Sequence, residues 1–133
     1  MAYCTRSNIE DRYGVTNVSR YADLDNDASP TSISNRITRA IAVADALIDD
    51  ILRASPYSFV LPITEPMGTS SYAPVTLTDC AVKIAGYWLS TARGVKDYDK
   101  DGNPITRLYG DYMDARSTIK AIADQTIKLN VVI

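Results

Sequence analysis

From Ile33 to Leu52 the apolar side chains Ile33, Ile37, Ile41, Ala44, Ile48, Ile51 and Leu52 recur at three- and four-residue intervals, which lays one apolar stripe along a helix. Arg36, Arg39, Asp45, Asp49, Asp50 and Arg53 occupy the other face. The spacing predicts a helix from Ser32 or Ser34 to Ser55, about 30 Å long at ~1.5 Å per residue. It is the backbone of the domain. A second stripe, Cys80, Ala81, Ile84, Ala85, Trp88 and Leu89, predicts a helix capped by Thr76 or Thr78 and stopped at Gly94, with Asp79 suited to the dipole of its first turn. Trp88 lies on that stripe and reads as a core anchor. A third, with Leu108, Tyr109, Tyr112, Ala115, Ile119, Ile122 and Ala123 inside, predicts a helix from about Ile105 to Thr126.

The remaining segments carry weaker patterns. Ser7-Asn8-Ile9-Glu10 has the spacing of a capping box and Tyr13-Gly14 supplies a stop, which predicts at most two turns of helix. Residues 15–31 hold Asp23, Asp25, Asp27, Ser29 and Pro30 and read as an exposed loop. Between Ala54 and Thr78 the only charge is Glu65, and Pro56, Pro62, Pro66 and Pro74 account for four of the chain's 6 prolines. Proline removes donors and fixes φ, which excludes a long helix or a central strand there. Connections in compact domains have a median of about 4 to 6 residues, and much longer ones tend to be functional. This one carries Tyr57, Phe59, Val60, Leu61, Ile63, Met67 and Tyr72, too apolar for free disorder. The reading is a loop that packs against a partner, with Tyr57 to Leu61 as a short extended segment on the helices.

At the far end, Ile127, Leu129, Val131 and Ile133 alternate with Lys128 and Asn130, a strand pattern rich in β-branched residues. A lone strand is unstable. Either this arm pairs with or packs onto another protein chain, or it folds back onto its own apolar surface or the Tyr57 to Leu61 segment. The expected fold is mainly α: a small bundle of about four helices with a long Pro-rich loop and a C-terminal extended or β arm. Residues 1–126 form the helical domain and 127–133 the arm. The candidate partner-binding residues are Tyr57, Phe59, Leu61 and Ile63 in the loop, with Ile127, Leu129, Val131 and Ile133 in the arm.

Composition narrows the chemistry. A chain of 133 residues is the length of one domain, able to bury a core without a disulfide or metal. With His 0, no triad built on histidine can be assembled and the commonest zinc and non-haem iron ligand sets lose their main donor. Lys+Arg 14 against Asp+Glu 16 gives a net charge of -2, which argues against broad wrapping of nucleic acid phosphates. Cys4 and Cys80 form no CxxC pair; Cys80 reads as a small buried residue and Cys4 as an incidental thiol near the terminus. No stretch is long and apolar enough to span a bilayer and no signal-peptide core is visible, so the expectation is a soluble protein of a reducing compartment.

Asp23-Leu24-Asp25-Asn26-Asp27 and Asp97 to Asn103 resemble openings of calcium loops. The first has Ala28 in place of the turn glycine and Ser34 at its twelfth position; the second has Gly102 correctly placed but Leu108 at its twelfth. Both read as solvated turns rich in aspartate. No phosphate loop, nucleophile elbow or HExxH pattern is present, and Asp49 and Asp50 point to different helix faces. No catalytic residues, metal ligands or cofactor are expected.

The order of the pieces carries more than any motif. Met-Ala-Tyr-Cys-Thr-Arg-Ser-Asn-Ile-Glu-Asp-Arg-Tyr-Gly, then the aspartate-rich loop, then "ISNRITRAIAVADALIDDIL" leading into a "Y…LP" segment, and later "PVTLTDCAVKIAGYWL" and a last helix with a β-like tail, resemble the head-to-tail connector (adaptor) proteins of tailed bacteriophages, in their Mu-like branch. The stretch from Pro62 to Pro74 is longer and richer in Ser/Thr than the family pattern, and "VKDYDKDGNPITR" adds a loop between the last two helices. The resemblance implies a structural virion subunit without enzymatic activity, assembled in the host cytoplasm and located in the neck between capsid and tail. It implies a homo-oligomeric ring, commonly a dodecamer, beneath the portal protein, offering a platform to a downstream neck or tail protein and touching channel DNA at most non-specifically, with no membrane partner. The competing readings are another neck or tail-completion protein and a calcium-responsive helical binding module.

Overall fold

The computed structural model describes residues 3–61, 75–93 and 108–127. Five α-helices and one short 3-10 helix are present among these residues: α1 (Arg6–Tyr13), α2 (Val15–Ala22), α3 (Pro30–Leu52), the 3-10 turn (Pro56–Val60), α4 (Val75–Arg93) and α5 (Leu108–Ala123). The expected count of about four is therefore low by one, and the missing helix is α2.

Each helix end has a local cause. Thr5 caps α1, accepting from the Asn8 N–H, while the Asn8 side chain accepts from the Thr5 N–H at 2.8 Å. The reciprocal box thus sits at Thr5 and Asn8, two residues earlier than the predicted Ser7 and Glu10. Gly14 closes α1 at φ +93 and serves at once as the N-cap of α2, a conformation that favours glycine. Residues 15–31 were expected as one loop. Instead Val15–Ala22 is helical because burial of Val18 and Ala22 outweighs the modest helix propensities of its Val, Thr, Asn and Ser residues. The loop proper is confined to residues 23–29. Ser29 caps α3 and Pro30 opens it, where its missing N–H costs nothing; this moves the start two residues ahead of the predicted Ser32.

The core forms around α4, which packs against α5, α3, α1 and α2. On α3 the buried stripe is Ile33, Ile37, Ala40, Ala44, Ile48 and Leu52; Leu77, Cys80, Ala81, Ile84, Ala85 and Leu89 face it from α4. Each fully buried Ile or Leu side chain contributes roughly 1.5–3 kcal/mol. Trp88 is only partly buried, packed at the rim of this core. Helix α5 turns Leu108, Ala115, Ile119 and Ile122 inward. Tyr109, expected inside, is exposed, as is Met113, because the stripe runs through 108, 111, 115, 119 and 122 and leaves 109 off it.

The segment ahead of α1 is bound into the domain. The Tyr3 N–H donates to Asp45 Oδ1 at 2.8 Å and its hydroxyl to Asp49 Oδ1 at 2.5 Å. Thr78 Oγ1 donates to the Tyr3 carbonyl at 2.8 Å. Tyr3 and Cys4 are consequently buried between α3 and α4, so Cys4 is a core residue rather than an incidental thiol. Past α3, Ser55 Oγ donates to the Leu52 carbonyl and accepts from the Tyr57 N–H. That serine and Pro56 start a 3-10 turn where an extended segment was expected.

Candidate interaction surface

The residues assigned to a partner surface from sequence separate in the structure. Tyr57 is 1% exposed and belongs to the core cluster; its ring is spent on the chain's own packing. Leu61 is partly buried against the same core. Phe59 lies in the 3-10 turn, its side chain outside the description. Ile63, Leu129, Val131 and Ile133 lie outside the described residues, and with them the expected strand. Ile127 is exposed just past α5, where its N–H donates to the Ala121 carbonyl at 3.2 Å.

What the structure does bring together is a face built on α5. Between the C-terminal end of α3 and α5 lies a groove of about 520 Å³ with Ile51, Ala54, Met113 and Ala123 as its apolar floor. Arg116, Lys120 and Asp124 stand at its edge, giving the rim a net positive charge. Among the described residues neither cation forms an ion pair with a carboxylate. Arg116 instead lies over the Tyr112 ring, 5.7 Å from its centroid, a cation–π contact. Tyr112 stacks on Tyr87 with centroids 4.5 Å apart, and Tyr109 meets Tyr87 at 5.8 Å in a tilted arrangement. A smaller apolar pocket of about 160 Å³ opens beside them between Leu47, Trp88 and Tyr112. Tyr109, Met113, Arg116 and Lys120 are spaced by four, three and four residues, one stripe on the outer side of α5. That spacing was present in the sequence, but the tyrosine read as core.

Helix α5 is fixed in place by a polar lock. Asp111, buried in its first turn, accepts from Arg12 Nη2 at 2.9 Å and from the Tyr13 hydroxyl at 3.1 Å. Burial, reinforced by the Asp111 charge, pushes the Tyr13 phenol well above its ordinary value. The bond to Asp111 raises the Arg12 guanidinium further.

The aspartate loop between α2 and α3 is organised on its own backbone. Asp23 accepts from the N–H groups of Asp27 and Ala28 at 3.2 and 3.1 Å, and Asp27 from that of Ser29 at 3.0 Å. Asp25 pairs with Arg36 at 3.0 Å, and Arg36 also donates to the Ala22 carbonyl. These are the bonds of Asx turns. Among the described residues no group of three or more acidic, Cys or His residues is placed to hold a metal ion; the Asp97 loop lies outside them. Burial raises the Cys4 thiol to about 12 and the Cys80 thiol to about 11, which keeps both protonated and poorly nucleophilic at neutral pH. No helix among the described residues is long and apolar enough to cross a membrane.

Compared with known proteins, the chain matches a family model described as bacteriophage Mu, Gp36, over residues 3–132. No curated protein matches it.

Proposed function

Because this chain belongs to the bacteriophage Mu Gp36 family, we propose that it is a structural protein of the virion, one subunit of a head-to-tail adaptor ring. The ring docks beneath the portal, extends the DNA channel and presents its far side to the next neck or tail component. The observation that carries this reading is the family match, which takes in all but the first two residues and the last one. The resemblance of the helix order to phage adaptors agrees with it. So does a predominantly helical domain carrying an open groove and an exposed aromatic face on α5. On this reading the chain works by contact and not by catalysis. Its partners are further copies of itself, commonly twelve, the portal protein and a distal neck or tail protein. Residues 127–133 serve as an arm that engages a neighbour. The net charge of -2 suits a channel through which DNA slides, since a strongly cationic lumen would retard it.

The test is electron microscopy of the chain mixed with its purified portal protein. A closed ring of countable symmetry stacked coaxially on the portal is expected. Binding to a tail tube, with none to the portal, would assign the chain to tail completion instead. A melting temperature raised by millimolar calcium would favour a calcium-responsive module.

A further inference from the structure

The groove between α3 and α5 combines an apolar floor, Ile51, Ala54 and Met113, with two cations, Arg116 and Lys120, against the single acid Asp124. Its chemical complement is an apolar side chain flanked by carboxylates. The chain carries that complement itself. Leu24 stands exposed in the loop after α2 with Asp23 and Asp25 on either side and Asp27 beyond. The loop is held in shape by the backbone bonds to Asp23 and Asp27 and by the Arg36 pair to Asp25, so little ordering entropy remains to be lost on docking. One Arg36 against three aspartates leaves it acidic.

Loop and groove cannot meet within one molecule. The loop leads directly into Pro30 at the start of α3, whereas Ile51 and Ala54 lie at the other end of that 23-residue helix, roughly 30 Å away at ~1.5 Å per residue. We propose that the α3–α5 groove receives the Leu24 loop of a second copy of this chain, with Leu24 on the apolar floor and Asp25 and Asp27 facing Arg116 and Lys120. The two surfaces differ, so the contact is heterologous. Each copy offers a free groove and a free loop, and the contact propagates until a ring closes. This deepens the adaptor-ring reading and rests on it. Opposite charges across the contact set its register and disfavour loop-to-loop or groove-to-groove encounters.

The test is a charge exchange read by sedimentation of the full chain, alone and with the portal ring present. In R116E/K120E the groove becomes acidic and the loop stays acidic; in D25K/D27K the loop becomes basic and the groove stays basic. Each variant alone is expected to remain monomeric. An equimolar mixture is expected to regain assembly, because the native and the exchanged contact then alternate around the ring. Since Asp25 and Asp27 also hold the loop, Leu24→Ala provides a variant with every charge retained: assembly weakened at least tenfold, helical circular dichroism unchanged. If the wild-type chain assembles and R116E/K120E assembles equally well, this contact is overturned while the ring reading stands. If R116E/K120E fails with its helicity intact and the mixture does not rescue it, the occupant of the groove is not the loop of a second copy. A wild-type chain that stays monomeric both alone and with the portal overturns the ring reading itself, and the contact with it.

Discussion

A Cβ atom built on Gly86 of α4 would stand 2.4 Å from Cε2 of the Tyr13 ring. Helix α1 can approach α4 only because that position has no side chain. The ring cannot swing aside freely either, since its hydroxyl is bonded to Asp111. Gly86→Ala gains up to about 1 kcal/mol of helix propensity but overpacks a tight contact, which costs about 1–3 kcal/mol. The expected result is a net loss of about 1 kcal/mol in urea unfolding. In a Tyr13→Phe background, where no hydroxyl bond restrains the ring, the loss should shrink. An equal loss in both backgrounds would uncouple the two residues.

Asp111 ties α5 to α1 through Arg12 and Tyr13. Asp111→Ala strands the Tyr13 hydroxyl and is expected to cost about 1–3 kcal/mol. Arg12→Ala, which removes a partner whose side chain is 41% exposed, should cost no more than about 1 kcal/mol. Chemical denaturation of the two variants checks the order; a larger loss for Arg12→Ala would reverse the roles assigned to them.

Burial raises the Asp45 carboxyl above its ordinary value of 3.8, against the bond from the Tyr3 N–H and with the help of the Asp49 charge. In the window just above 3.8 the folded chain therefore binds more protons at this site than the unfolded chain, and its contribution to stability falls as pH rises. Asparagine keeps the acceptor for Tyr3 without the charge. Asp45→Asn should flatten the stability profile just above about pH 4 and leave the chain at least as stable at pH 7. A lower melting temperature at pH 7 would count against this account.

The thiols offer a direct probe of the N-terminal packing. With Cys4 and Cys80 both buried and raised, neither should react with a disulfide reagent in the folded chain at pH 7, and both should react promptly in denaturant. Fast labelling of Cys4 alone would mean that the Tyr3 bonds to α3 do not hold the segment down.

The long helices were legible because their apolar stripes are long and regular: Ile33 through Leu52, and Cys80 through Leu89. Helix α2 was not, because only Val18 and Ala22 of its eight residues are buried, and two positions set no period. The start of α3 escaped for another reason. Ser29-Pro30 is a good cap and first position, but it closes an aspartate-rich run that reads as loop throughout. Tyr57 was assigned to a partner because prolines surround it; nothing local says that Ser55 turns the chain back onto the core. The candidate surface was half legible. Tyr109, Met113, Arg116 and Lys120 share one spacing, but the groove beside them needs Ile51 and Ala54 from α3, and a contact between distant segments leaves no periodic trace.

Native mass spectrometry of the portal complex tests the adaptor-ring reading most directly, because it counts the copies bound. The account predicts one dominant species in which a fixed ring number of chains, commonly twelve, rides on each portal oligomer, with no ladder of partial occupancies at saturation. A single chain per portal, a broad distribution of copy numbers, or no complex at all would contradict it.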